Sequence, residues 1–182
     1  MVSKKEYQTL LTRASMKDAL HADILVAIDP DIESSGVAEL HRGSRKIKLF
    51  SLRFPELMDY LLSAKRSAEV RQFRFGVIVE AGWLNKGNWH LTTKDTKYSA
   101  AEKGRQTGRN HETGRKIVEM CNHFQIVTEE VKPLRKLWLG RDRKITAEEF
   151  NRVTGYAGRS SQDMRDAGLL AWVYAGLPVK VN

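Results

Sequence analysis

ILVAID, residues 24 to 29, is an unbroken apolar run that ends in an acid and is followed by Pro30. It lacks the polar alternation of a strand with one wet face, so it reads as a fully buried strand whose last residue emerges at the sheet edge. FGVIVE, residues 75 to 80, repeats the pattern and ends in Glu80. Asp29 and Glu80 are thus two carboxylates delivered by the same device. If their strands are neighbours, both acids lie at one end of the sheet, where open α/β sheets carry their sites.

Between these strands, GVAELHRG and RKIKLFSL flank the Gly43-Ser44 turn signal and predict an antiparallel hairpin extension. Pro55 then opens PELMDYLLSAKRSAE, whose Leu57, Tyr60, Leu61 and Ala64 recur at helical spacing. Beyond Glu80 comes a polar and aromatic loop, AGWLNKGNWHLTTKDTK. A long helix follows from about Ser99 to Phe124, with Ile117, Val118 and Cys121 facing the sheet. QIVTEEVKP reads as a fifth strand ended by Pro133, and TAEEFNRVTG carries a Thr to Glu capping box. SQDMRDAGLLAWVYAG reads as an amphipathic helix ended by Gly176 and Pro178. The order is βββαβαβ plus terminal helices. Its second half needs a parallel crossover, so the fold class is α/β: a mixed five-stranded sheet flanked by helices. Residues 4 to 20 predict an appended helix, which divides the chain into an N-terminal extension (1–23) and one domain (24–182).

A chain of 182 residues with 41% hydrophobic and 29% charged residues can bury one sizeable core. Its net charge of +9 favours a polyanionic partner, nucleic acid first. The single cysteine, Cys121, reads as a buried thiol suited to a reducing compartment. No stretch has the apolar length of a membrane span or the core of a signal peptide, so a cytoplasmic location without membrane partners is expected. His90, His111 and His123 are scattered without zinc spacing.

Asp163 and Asp166 lie three apart on the last long helix and share a face. Solvated acids near a helix N-terminus are the plain alternative. If that helix crosses the ends of the two acidic strands, Asp29, Glu80, Asp163 and Asp166 converge. Four such oxygen donors suit two Mg2+ or Mn2+ ions and phosphodiester hydrolysis.

Here the chain resembles a known family. AIDPDIESSGVA is similar to the opening strand and turn of RuvC-like Holliday junction resolvases, nucleases of the RNase H-like superfamily. VIVEAGW resembles their second acidic strand and DMRDAGLLAW their closing acidic helix, and the likeness covers residues 24 to 176. The resemblance implies an RNase H-like nuclease domain in which Asp29, Glu80, Asp163 and Asp166 bind two ions, Asp29 bridging them. It implies a homodimer that nicks four-way junctions, encoded by a bacterium or phage and associated with the nucleoid. Helicase partners are left open.

The resemblance also makes Trp83 a residue that stacks on junction bases, burial being the alternative. Lys132 resembles the family's basic residue near the scissile phosphate and Lys144 a second one; each has the alternative of an ordinary solvated lysine. Lys103, Arg105, Arg109, Arg115 and Lys116 cluster at the start of the long helix among Gly104, Gly108 and Gly114. They follow a phosphate backbone or form a solvated face, and the glycines allow close packing on the sheet or on a second subunit. Asp31 and Glu33 depart from the family pattern, as does the loop with Trp83 and Trp89. Three rivals stand beside the resolvase: a related nuclease on other branched DNA or RNA-DNA hybrids, a catalytically silent DNA-binding module, and a nucleotide-binding domain of the actin and sugar-kinase type, which the length disfavours.

Overall fold

The structure, a computed structural model, describes residues 19–85 and 96–179. The expected N-terminal helix falls almost wholly outside them, as do Trp89 and His90. Residues 19–23 pack on the sheet: Ala19 and Ala22 are buried, and the Asp23 carboxylate accepts hydrogen bonds from Arg74 N (2.9 Å) and Nη2 (3.0 Å).

Five strands, β1 (Ile24–Asp29), β2 (Ser35–His41), β3 (Lys46–Leu52), β4 (Phe75–Glu80) and β5 (Thr128–Val131), form one sheet in the order β3-β2-β1-β4-β5. The hairpin strands pair antiparallel, whereas β1–β4 and β4–β5 are parallel. Helix α1 (Phe54–Val70) links β3 to β4, and α2 (Lys97–His123) links β4 to β5. α3 (Ala147–Thr154) and α4 (Gln162–Tyr174) close the chain. This is the expected element order, in a mixed five-stranded sheet flanked by helices. β5 is shorter than the reading of 125 to 133, because Gln125 has a left-handed φ of 53° in the turn after α2 and Pro133 cannot donate to the ladder.

Successive strand residues point to opposite faces, and this alternation builds two cores. Leu25 and Ala27 of β1 and Ile78 of β4 pack with Leu169, Leu170 and Trp172 of α4. Val26, Ile28, Val77 and Val79 pack on the other face with Leu57 and Leu61 of α1 and Ile117 and Cys121 of α2. The Cys121 thiol is buried as expected, and burial pushes its pKa up to about 11. Among the described residues no helix is long and apolar enough to cross a membrane.

Candidate metal centre and nucleic-acid interface

The same alternation aims the acids. Asp29 lies two residues beyond Ala27, and Glu80 two beyond Ile78, so both side chains project toward α4. The β1–β4 register, in which Ile28 is opposite Val79, sets the two acids side by side. Gly36, paired with Asp29 on β2, lets α4 close over them. A Cβ at position 36 would sit 2.2 Å from the Asp163 carbonyl oxygen, so any larger residue would lift the first turn of the helix. Ser161 caps that turn by accepting from Met164 N.

Carboxylate oxygens of Asp29, Asp163 and Asp166 all lie within 4.8 Å of one another. Burial, and then the charges of Glu80, Asp166 and Asp163, hold the Asp29 carboxyl well above the usual carboxylate range, against the pull of Lys144. Burial and the Asp166 charge push Glu80 up to about 7, opposed by Lys136 and Lys144. Burial also raises Asp163, with Lys144 opposing and Asp166 and Asp31 adding to the rise. Asp166 accepts from Gln162 Nε2 (2.8 Å) and Lys144 Nζ (2.9 Å), so its orientation is set. Among the described residues, Asp29, Glu80 and Asp163 accept no hydrogen bond, and the cations that act on them are Lys144, Lys136 at Glu80 and Arg165 at Asp163. The donor set is all carboxylate oxygen, which fits hard divalent cations.

The basic residues fall differently from their order of merit in the sequence. Lys144 reaches the acids; burial works against its charge, but the Asp166 hydrogen bond and the charges of Asp166, Asp29 and Asp163 raise its pKa. Lys132 is exposed and is not among the charges that act on Asp29, Glu80 or Asp163. The second lysine at the cluster is Lys136, whose only sequence signal was its place in the basic stretch RKLWLGRDRK. Gln162 was missed too, although its spacing of four from Asp166 is a helix-surface pair.

Trp83 packs inward. Its Nε1 donates to Glu130 Oε2 (2.7 Å), His111 meets it edge-on at 5.8 Å and Arg115 lies 5.5 Å from its ring centre. The Gly114 backbone is so close to the indole that a Cβ there would be 2.5 Å from it, which identifies this glycine as a packing residue. On α2, Arg105 is ion-paired to Glu102, Arg115 to Glu112 and Lys116 to Glu119. Those three cations are partly neutralised by their own helix, and Lys103 and Arg109 are also exposed on it. Asp31 serves the local structure, because its carboxylate accepts from Glu33 N (2.9 Å) and Asn110 Nδ2 (3.0 Å), stapling the turn after Asp29 to α2.

No family model and no curated protein matches the chain. Solved structures that match include the Fowlpox virus resolvase with its substrate Holliday junction DNA, at 16% identity over 84% of this chain and 97% of that one, with a TM-score of 0.40. Thermus thermophilus RuvC in complex with a Holliday junction substrate matches at 11% identity, 84% and 94% coverage and a TM-score of 0.42. A second Thermus thermophilus RuvC structure gives 13%, 84% and 96%, and 0.39. In this chain the acid-bearing helix α4 packs chiefly on β2 and β1 of the mixed sheet.

Proposed function

We propose that the chain is a divalent-metal endonuclease that hydrolyses phosphodiester bonds of four-way DNA junctions as a homodimer. The observation that carries this reading is the convergence of Asp29, Asp163 and Asp166 oxygens within 4.8 Å, beside Glu80, with too few cations to neutralise them. Four carboxylates in partial burial are costly to ionise, and at Asp29, Glu80 and Asp163 the cost is not met by hydrogen bonds from the described residues. Asp29, Glu80, Asp163 and Asp166 would hold the ions. Mg2+ or Mn2+ bound there supplies Lewis-acid stabilisation of the charge that develops on the scissile phosphate.

The chain's own groups do the positioning. Gln162 and Lys144 orient Asp166, and Gly36 sets the height of the α4 acids above Asp29. Lys144, kept protonated by its acidic neighbours, is the cation bonded to the cluster and would face a phosphate held there, and Lys136 adds charge from the Glu80 side. We assign to Lys144 the role that the resemblance implied for Lys132. A two-fold symmetric junction is cut at two related positions, which is the basis for a homodimer with one site per protomer.

Incubation of a labelled four-way junction, a linear duplex and an RNA-DNA hybrid with the protein and Mg2+ or Mn2+ tests the reading. Paired symmetric nicks on the junction, absent with Asp29→Asn, are expected. Preferential cutting of the hybrid would move the substrate, and tight junction binding without cleavage by any form would leave only a DNA-binding module.

A further inference from the structure

Residues 134–144, LRKLWLGRDRK, leave β5 and return to the acid cluster, with Lys136 acting on Glu80 at one end and Lys144 bound to Asp166 at the other. Between these ends Leu137 is 76% and Leu139 85% exposed. Two such aliphatic side chains on a loose loop would mean little. This segment is built: Trp138 is packed against the core that includes α4, and its backbone N–H donates to the Arg143 carbonyl at 3.1 Å. Gly140 N donates to the Lys144 carbonyl at 3.0 Å. A Cβ at position 140 would lie 2.4 Å from that oxygen, so the reversal requires glycine. The buried Glu149 carboxylate accepts from Leu139 N (3.1 Å) and Thr146 N (2.9 Å), fastening the leucine's backbone to the start of α3.

The chain therefore holds two leucines in water on an anchored projection, at a hydrophobic cost that a partner would relieve. Charge names the partner: the segment carries Arg135, Lys136, Arg141, Arg143 and Lys144 against the single acid Asp142. Aliphatic side chains flanked by Arg and Lys are the composition of a wedge that enters an opened base step while the cations hold the neighbouring phosphates. Trp83, the aromatic expected to stack, is half-buried, bonded to Glu130 of β5 and packed on Gly114 of α2.

We infer that Leu137 and Leu139 insert between bases of the DNA at the branch point, next to the bond to be cut; this rests on the nuclease reading above. The test uses a four-way junction with 2-aminopurine at the exchange point, titrated with the native chain and with the Leu137→Ser/Leu139→Ser variant in Ca2+. Both leucines are exposed, so the variant is expected to fold, which circular dichroism checks. Native binding should raise the fluorescence, and the variant should lose most of the rise and bind the junction about tenfold more weakly, with affinity for linear duplex unchanged. A variant with native fluorescence, affinity and cleavage overturns the wedge and leaves the nuclease reading standing. Absence of junction binding and cleavage by the native chain removes that reading and the wedge with it. Phosphatidylserine vesicles that bind the native chain but not the variant, with junction binding equal, would reassign the leucines to a membrane surface and overturn the proposal.

Discussion

Two acids on adjacent strands, Glu39 of β2 and Asp29 of β1, are both enclosed by protein and have opposite fates. Glu39 is buried, yet it accepts from Tyr60 Oη (2.6 Å), Lys48 Nζ (2.8 Å) and His41 Nε2 (2.9 Å). Burial raises its pKa, but those three hydrogen bonds outweigh it and hold the carboxyl below its ordinary value. Asp29 has no such donors among the described residues and three like charges nearby, so its carboxyl is held well above the ordinary range. Depth alone thus does not mark a functional acid. A carboxylate whose charge is satisfied by its own chain is structural, and one left in deficit has capacity for an external cation.

The strongest way to break this contrast is Asp29→Asn. It should lower cleavage by about a thousandfold with the junction still bound. The same variant should also be more stable than the native chain without metal at neutral pH. The sign follows from the raised carboxyls: their stabilisation is present below the unfolded value, 4.5 for Glu80, and is lost as pH rises through about 7. The native Tm in EDTA should therefore fall across that window, millimolar Mg2+ should restore it, and Asp29→Asn should make the fall shallower, leaving the part due to Glu80. Calorimetric scans with and without metal would show this, and a flat native profile would remove the deficit.

Lys144→Ala should cost roughly tenfold to a hundredfold in turnover, since it removes a cation from the acids and the orienting bond to Asp166. Single-turnover rates would separate this from binding. Glu39→Gln should leave turnover within about threefold but destabilise the fold by about 1–3 kcal/mol, because three donors lose their charged partner. Its lowered pKa stabilises above the ordinary value and is lost as pH falls, so the variant should lose acid-side dependence, the reverse of Asp29→Asn. Lys132→Ala, the smallest change, should stay within about twofold of native activity. A loss as large as that of Lys144→Ala would return the phosphate-facing role to Lys132.

The strands ILVAID and FGVIVE were legible to the residue, because burial on both faces leaves an uninterrupted apolar run that needs no partner to be recognised. The alternation that builds those strands also fixed which face Asp29 and Glu80 would share, and the spacing of Asp163 and Asp166 put them on one side of α4. These are properties of local geometry, carried by the chain's own periodicity. Whether Lys132 or Lys144 meets the acids depends on how the segment after β5 doubles back, which no period encodes. The inward turn of Trp83 depends on a glycine of α2, far along the chain, and the neutralisation of Glu39 on Tyr60 from another element. Sequence alone determined the elements and the supply of acids. The tertiary structure decided which charges are satisfied, because compensation acts through space between segments whose approach is set by packing.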